Sequence, residues 1–452
     1  MKKWKMIYAV LFFGICLIPS VGLLFGGSEE STENRDLSEL PKLQTEEGWN
    51  SGYLEQLGDY FQEHFAYRNE LVTANALLNG RVFGVSTASG VIQGTDGWLY
   101  YMDSLEDYQR TNPMSERSLF NVAHSLALMQ DYVEKKDCAF VFTVAPNKNT
   151  LYGEHMPYYY QIKTENPGNL ERLEGYLEEE QVSYADLWET LSGWEEVLYH
   201  RRDSHWNNKG ASIAADCILD TLGKLYISYT DGDYEVRKDF IGDLDEMLYP
   251  KALTPEEEIY YAKPFTYSYV EEVESNFAPR ISTVSSLGSG SLVMYRDSFG
   301  NALLPYMAQA YGNAYFSRGI PYQLTDLDTH LADTVVVERA ERFLPDMAGD
   351  PPVMPGPLVI VSGEDQPLDP EMLESLEVSS QGLYTKISGT IPKEALNVRS
   401  KIYVKVDGNM AYEAFPVTWD NGEEGFVLYL ESGKFSGLEN QIEVYIKEDI
   451  KG

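Results

Sequence analysis

The chain has 452 residues, of which 43% are hydrophobic and 13% aromatic, so it can bury a core and is not an intrinsically disordered protein. Its 35 basic and 71 acidic residues give a formal charge of −36. So acidic a chain repels a phosphate backbone, which excludes nucleic acid as the main partner. The length predicts two or three domains, or one large domain with an appendage.

The N-terminus combines a basic start with an apolar run. Three lysines lie among the first five residues, and residues 6–25 carry no charge. This pattern is typical of a secretory signal or an uncleaved signal-anchor, and the run is close to the length that spans a bilayer. We therefore expect residues 1–27 to be such a segment and residues 28–60 to be a linker or N-terminal extension. The lysines before the run place the rest of the chain outside the cytoplasm, anchored to a bacterial cell membrane or secreted.

Apolar periodicity predicts alternating strands and helices over residues 61–347. Asp96-Gly97 between two apolar runs predicts a hairpin, and the continuous apolar run 138–144 predicts a strand buried on both faces. Residues 225–285 show little periodicity and are interpreted as an insertion of loops and short strands. The other elements follow from spacing and capping residues. Helices are predicted near 119–133, 169–180, 209–222 and 301–311, and strands near 182–184, 197–199, 291–295, 314–317 and 334–338.

This alternation predicts an α/β domain over residues 61–347, with a mainly parallel sheet and helices on both faces. Residues 348–357 contain four prolines and predict a domain linker. Alternating segments punctuated by turn residues follow, and they predict a small β-sandwich over residues 358–452.

Polar residues follow three of the predicted strands, and strands of a parallel sheet deliver functional groups at their C-terminal ends. They are residues 147–148, 203–206 and 296–298. Ser298 lies between a strand and a helix, where its hydroxyl can be exposed and its main-chain N–H can stabilise an oxyanion. Asp203 and His205 are two residues apart and can face the same side, so His205 could bridge Ser298 and Asp203.

Structural interpretations of the same residues stay open. Serine at a helix N-terminus is often only a cap, and a histidine beside tryptophan often only packs. His200 and His205 have no third ligand at a suitable spacing, so we expect no metal, and no phosphate-binding loop or dinucleotide fingerprint indicates a cofactor. Five further residues are candidates for substrate binding, although turns and packing explain them equally well: Asn147, Lys148, Asn301, Trp206 and Arg296.

The ordered motifs resemble a known bacterial family. Residues 203–207, Asp-Ser-His-Trp-Asn, resemble the signature of the DHHW protein family and the Asp-x-His-Trp motif of the alginate O-acetyltransferases, which have an SGNH-hydrolase-like fold. Residues 296–299 resemble the nucleophile block of these families, and residues 94–100 resemble their Gly-x-Asp-Gly-Trp-Leu-Phe element. With similar segments at 61–68 and 335–339, the resemblance spans about residues 40–345.

This resemblance implies that Ser298 is the nucleophile, His205 the base and Asp203 the acid that orients the base. Two positions depart from the families. Ser204 replaces the first histidine of the signature, which we expect to be harmless if the side chain points away. Arg296 replaces a glycine common in SGNH enzymes, so the oxyanion site is assigned no further than the Ser298 N–H.

The resemblance further implies an extracytoplasmic O-acyltransferase, with acetyl as the expected group. An acyl-Ser intermediate would pass the group to a hydroxyl of a surface or secreted polysaccharide, and a membrane-bound O-acyltransferase would be the partner that exports it. Two alternatives remain. A carbohydrate esterase would use the same triad with water as acceptor, and a non-catalytic polysaccharide-binding or scaffold protein would use the β-sandwich as its interaction module.

Overall fold

A computed structural model describes residues 2–22, 38–45, 48–362, 366–408, 410–435 and 441–448. The helices of this part of the chain follow in order. They are α1 (Lys2–Gly22), α2 (Tyr53–His64), α3 (Arg68–Phe83), α4 (Leu105–Gln109), α5 (Glu116–Glu134), α6 (Lys148–Leu151), α7 (Asn169–Glu179), α8 (Leu187–Ser192), α9 (Asn208–Thr221), α10 (Asp243–Leu248), α11 (Gly300–Ala310) and α12 (Thr325–Thr329).

The strands of the same residues are numbered separately. They are β1 (Gln44–Thr45), β2 (Gly48–Trp49), β3 (Val91–Gln93), β4 (Leu99–Tyr101), β5 (Ala139–Ala145), β6 (Tyr184–Ala185), β7 (Tyr234–Phe240), β8 (Glu256–Tyr261), β9 (Tyr267–Tyr269), β10 (Arg280–Ser285), β11 (Ser291–Tyr295), β12 (Asn313–Ser317), β13 (Thr334–Ala340), β14 (Leu358–Val359), β15 (Ser375–Gln381), β16 (Tyr384–Ile391), β17 (Ser400–Val406), β18 (Met410–Thr418), β19 (Glu424–Glu431) and β20 (Ile442–Glu448).

Seven strands form the main sheet, in the order β6-β5-β13-β11-β12-β10-β9. The first five are parallel to their neighbours, whereas β10 runs antiparallel to both β12 and β9. Side chains of β5 alternate between two cores: Phe142 packs with α5 and α7, and Val141 packs with α9 and α11. The predicted α/β fold, with a mainly parallel sheet and helices on both faces, is therefore confirmed.

Predictions of turns and helix caps succeed because these features depend on the backbone preferences and side-chain oxygens of single residues. Asp96 and Gly97 both have positive φ, 53° and 82°, as the turn of a tight hairpin requires. Ser115 caps α5 by accepting a hydrogen bond from the Ser118 N–H. Asn207 caps α9 in the same way, accepting from the Gly210 N–H.

Two predictions in this domain need correction. The strand predicted at 197–199 is wrong, because the chain turns back over residues 200–205 and only Tyr199 forms an isolated bridge, to Trp206. Residues 225–285 are not wholly an insertion, since β9 and β10 extend the main sheet. The burial of β10, the strand next to the edge strand β9, alternates along the strand, as expected for an antiparallel strand with one covered face.

The C-terminal strands form a connected antiparallel sheet in the order β15-β16-β19-β18-β17-β20, with β14 beside β18. The predicted small antiparallel β domain is thus found, but its strand path is continuous instead of split into two sheets. The reason is that β18 changes partner: residues 410–414 pair with β17, and residues 415–418 pair with β19. Apolar side chains from both halves, such as Ile402 and Phe426, share one core.

Helix α5 packs against the C-terminal strands through a polar face. Arg117 donates to the main-chain oxygens of Asn397, Val398 and Ser400, at 3.3, 3.1 and 2.6 Å. The segment predicted as a linker packs here as well, because Val353 and Met354 are 1% exposed and belong to the core beneath α5. The domain boundary at residues 348–357 remains a proposal. The residues of this segment pack against the core and do not form an exposed linker.

The predicted N-terminal anchor is not confirmed. Residues 2–22 form α1, whereas residues 23–37, which include the end of the apolar run, lie outside the described residues. Within the described part of the chain, every helix is too short or too polar to cross a membrane.

A buried histidine joins α5 to the C-terminal strands and should make the stability of the protein depend on pH. His124 of α5 lies between Glu180, 2.8 Å from Nδ1, and Glu413 of β18, 3.0 Å from Nε2. Burial alone would lower the pKa of His124, but these hydrogen bonds and charges raise it above its ordinary value. A raised pKa in the folded state gives stabilisation that is complete below the unfolded pKa and is lost as pH rises through the folded pKa.

We therefore expect His124→Gln to lower the free energy of unfolding by about 3 kcal/mol at acidic pH, and by less as pH rises through that pKa. Urea unfolding of both proteins between pH 5 and 9 measures the difference. A difference that does not change with pH would contradict a charged His124.

Candidate active site

The C-terminal edge of the parallel sheet assembles the predicted triad. Ser298 lies between β11 and α11, and Asp203 and His205 lie in the loop that precedes α9. His205 Nε2 is 2.8 Å from Ser298 Oγ, and His205 Nδ1 is 2.8 Å from Asp203 Oδ1. The structure thus brings the three predicted residues together in one hydrogen-bonded chain, although their catalytic roles remain a proposal.

The two ends of this chain differ in burial. Asp203 is 6% exposed, whereas the His205 and Ser298 side chains are partly exposed. Asp203 Oδ1 also accepts the His205 main-chain N–H, and its Oδ2 accepts the Asp243 N–H, each at 2.8 Å. The Phe299 ring packs edge-on against the imidazole at 4.8 Å. The carboxylate is therefore held inside while the hydroxyl is open to a substrate.

The two charges explain the proton positions. Burial would raise the pKa of Asp203, but the hydrogen bond and the charge of His205 hold it well below its ordinary value. Burial would lower the pKa of His205, but the hydrogen bond and charge of Asp203 raise it. An ionised carboxylate only accepts hydrogen bonds, so Nδ1 carries the proton and leaves Nε2 of the neutral ring to accept from Ser298.

A second carboxylate, Asp243, adjoins this pair and was missed by sequence reasoning. Its Oδ2 accepts from Ser204 Oγ at 2.5 Å and lies 3.7 Å from His205 Nδ1. Ser204 Oγ itself is 3.1 Å from His205 Nδ1, so the condition under which its replacement was expected to be harmless, a side chain that points away, is not met. Gly242 permits the approach of α10, because a Cβ there would lie 2.2 Å from the Arg202 carbonyl oxygen.

These groups could also be considered as cation ligands. Atoms of Asp203, His205 and Asp243 lie within 4.8 Å of one another. However, a histidine nitrogen must be unprotonated to bind a metal, and Nδ1 is the proton donor to Asp203. The donor set therefore fits proton transfer better than metal binding.

Arg296 is structural where a substrate-binding role was predicted. It is 3% exposed, and Nη2 donates to the carbonyl oxygens of Asn276 and Ala278 at 2.9 and 3.1 Å. Its Nη1 donates to Asn301 Oδ1, which engages the side chain of a second predicted substrate ligand. Arg296 and Asn301 therefore fix the loop beside the nucleophile.

The other three predicted substrate ligands are also buried away from solvent. Lys148 donates to the carbonyl oxygens of His200, Arg201 and Asp203 at 3.1, 3.1 and 2.5 Å, and burial lowers its pKa to about 8. Asn147 is 1% exposed and donates from Nδ2 to Asp107 at 3.0 Å. Trp206 is 2% exposed and packs edge-on against Phe299 at 4.9 Å. The Lys148 contacts support the loop that carries Asp203 and His205, and all three residues offer little surface to a substrate.

Arg342 is a cation near the triad that the sequence argument omitted. It follows β13, which lies between β5 and β11, so it belongs to a fourth polar strand end at the same edge. The guanidinium carbon is 5.5 Å from the Phe299 ring centroid and 5.4 Å from that of Tyr101. Its charge opposes the rise in the pKa of His205, and its side chain is only partly buried. The rule that selected the other strand ends would have found it.

Lys148 provides a test of how the catalytic loop is held. Lys148→Met removes the donor to three carbonyl oxygens, two of them in buried hydrogen bonds, so we expect a loss of about 2–3 kcal/mol in unfolding free energy. Denaturant unfolding measures the loss, with Lys135→Met on the exposed end of α5 as the control. Unchanged stability would contradict this role.

Comparisons with known proteins identify the type of domain. Residues 91–272 match the family model described as "SGNH hydrolase-like domain, acetyltransferase AlgX", a stretch that includes Asp203 and His205. No curated protein matches the chain significantly.

Similar solved structures include a DHHW family protein from Eubacterium siraeum, with 16% identity, a TM-score of 0.40 and coverage of 50% of this chain and 85% of that chain. Bacillus cereus PatB1 has 14% identity, a TM-score of 0.43 and coverage of 56% and 96%. The O-acetyltransferase domain of Pseudomonas putida AlgJ has 17% identity, a TM-score of 0.37 and coverage of 57% and 92%. The resemblance of this chain to SGNH-hydrolase-like acetyltransferases is confirmed.

Proposed function

We propose that the protein is a serine-dependent O-acyltransferase, with acetyl as the transferred group and a polysaccharide hydroxyl as the acceptor. The observation that carries the proposal is the chain of two 2.8 Å contacts from Ser298 Oγ through His205 to Asp203. The match of residues 91–272 to an acetyltransferase domain supports acyl transfer as the reaction.

The geometry supports a two-step reaction. Ser298 Oγ attacks the acyl carbonyl carbon as its proton passes to His205 Nε2, and Asp203 stabilises the resulting imidazolium. His205 then returns the proton to the leaving group, which departs and leaves an acyl-Ser298 ester. In the second step a sugar hydroxyl gives its proton to His205 and attacks the ester. His205 then passes this proton to the departing Ser298 Oγ, which restores the free serine and releases the O-acylated sugar.

Both steps develop negative charge on the acyl oxygen, and two groups are suited to it. The Ser298 main-chain N–H precedes α11 and has no hydrogen-bond acceptor among the described residues. The guanidinium carbon of Arg342 is 5.5 Å from the Phe299 ring centroid, and its Nε–H has no partner within the described structure. We assign the N–H to the oxyanion and Arg342 to a substrate oxygen beside it.

The setting of the reaction is also a proposal. The apolar run 6–25 after three lysines supports export and an extracytoplasmic location, either anchored to the cell membrane or secreted. A membrane-bound O-acyltransferase as the acyl supplier is proposed from the resemblance to the alginate O-acetyltransferases. The N-terminal segment would keep the two proteins at one membrane.

One prediction of this function compares acyl transfer with hydrolysis. Wild-type protein should release acid from an activated acetyl ester, and an oligosaccharide acceptor should gain acetyl mass, whereas Ser298→Ala should lower both rates by about 10³-fold or more. Ser275→Ala, on a loop of the same domain, is the matched control. Ester turnover without acceptor acetylation would support the esterase alternative, and equal background rates in both proteins would contradict serine chemistry.

The second prediction concerns pH. The base must be neutral, so kcat/KM should rise with pH through the pKa of His205, which Asp203 raises above the ordinary histidine value of about 6.5. Asp203→Asn removes that charge, so the acidic limb should move to lower pH while the maximal rate falls about 10⁴-fold because the tautomer is no longer fixed.

The matched control is Asp243→Asn. Asp243 raises the same pKa through charge alone, so this variant should move the limb in the same direction by less. An acidic limb that stays in place in Asp203→Asn would show that another group controls it.

A further inference from the structure

A buried carboxyl group that the mechanism does not use lies directly beneath the nucleophile. Glu338 is 1% exposed and lies near the end of β13. Tyr295, the last residue of β11, pairs with Val337, so Glu338 stands beside the first residue of the turn that carries Ser298. This register explains why a side chain of one strand can reach the turn after its neighbour.

Glu338 contacts the turn at both ends. Its Oε2 accepts the Asp297 main-chain N–H at 3.0 Å. A Cβ at Gly300 would lie 3.0 Å from the same oxygen and 2.6 Å from Arg296 Cβ, so glycine allows the start of α11 to pack on the carboxyl group. The backbone on either side of Ser298 therefore packs on the Glu338 carboxyl group.

The neighbouring carboxylate of Asp297 accepts two main-chain hydrogen bonds. Asp297 Oδ1 accepts the Phe299 N–H at 2.9 Å, and Oδ2 accepts the Ala340 N–H at 2.7 Å. Both carboxylate oxygens of Asp297 therefore take part in main-chain hydrogen bonds. By contrast, Glu338 Oε1 is buried without a hydrogen-bond partner in the described structure, which is costly for a charged oxygen.

The charges around Glu338 agree with a neutral group. Asp297 faces it from the turn, and electrostatic interactions link it to Tyr199, in the segment before α9, and to Tyr322, in the segment after β12. Arg296 is the nearby cation, but its guanidinium donates to main-chain and amide oxygens. Burial and the charge of Asp297 raise the pKa of Glu338 well above its ordinary value.

We propose that Glu338 is a positioning residue that holds the nucleophile turn as a neutral carboxylic acid, accepting the Asp297 N–H while facing the Asp297 carboxylate. Ionised, it would set two carboxylates against each other under Ser298 and loosen the turn. This inference deepens the proposed function, because it depends on Ser298 being the nucleophile.

The test measures Ser298 reactivity without a sugar or an acyl donor. Phenylmethanesulfonyl fluoride labels an activated serine, and intact mass gives the rate for the full-length protein. Glu338→Gln is neutral and keeps an acceptor for the Asp297 N–H, so it should label within about threefold of the wild-type rate. Glu338→Leu removes the acceptor and should label about tenfold more slowly, with its circular dichroism unchanged.

The matched control is Glu424→Gln, a buried carboxyl group of β19 whose pKa is also raised, and which should leave labelling unchanged. Glu338→Gln labelling as slowly as Glu338→Leu would show that the ionised form is needed and would overturn the proposal. Glu338→Leu labelling at the wild-type rate would overturn the positioning role.

A second measurement does not depend on the folding of the leucine variant or on the nucleophile. The infrared difference spectrum between wild type and Glu338→Gln at neutral pH should contain the carbonyl band of a protonated carboxylic acid. A carboxylate band in its place would overturn the neutral assignment. Absence of wild-type labelling would instead count against Ser298 as nucleophile, and the infrared result would still decide the state of Glu338.

Discussion

The hydrogen bond between Asp203 Oδ1 and His205 Nδ1 is the interaction on which the candidate site depends. At 2.8 Å it joins a buried carboxylate to a partly exposed imidazole, and each group shifts the pKa of the other toward the charged form. This bond fixes which nitrogen carries the proton, and thereby makes Nε2 the acceptor that Ser298 needs. Without it, the Ser298 hydroxyl would face an imidazole of undefined tautomer and orientation.

The fold supplies this geometry through the edge of one sheet. Parallel strands β5, β13 and β11 end at the same edge of the sheet, so the residues after them lie near one another. At this edge the buried polar groups work as supports. Lys148 holds the catalytic loop, Arg296 and Glu338 hold the nucleophile turn, and Asp243 closes the carboxylate side of His205. Few of the polar side chains of the site are thus exposed, and more of them are buried and support the exposed ones.

The sequence predicted what is local or repeated along the chain. The continuous apolar run 138–144 predicted β5. The Asp-x-His spacing and a strand-end serine predicted the three residues that the structure brings together. The sequence could not show which polar side chains become buried by tertiary packing. Lys148 and Arg296 carry the kind of side chain that binds substrates, yet each donates to carbonyl oxygens of segments distant in sequence.

Long-range packing also explains what was missed. The polar side of α5 has the composition of a solvated face, but Arg117 and His124 are buried because the C-terminal strands dock there. Asp243 lay in a segment without periodicity, and only a close approach at Gly242 brings it to the triad. Such contacts depend on the assembled fold, so no spacing rule within one segment reports them.

The proposed function requires that Ser298 carries the acyl group between donor and acceptor. The most direct measurement is tandem mass spectrometry of the protein quenched in acid during turnover of an acetyl donor, with no sugar acceptor present. We expect an acetyl mass on the peptide containing Ser298, which disappears when an oligosaccharide acceptor is added before the quench. Donor turnover with no acetyl group on Ser298, or with the group on another residue, would contradict it.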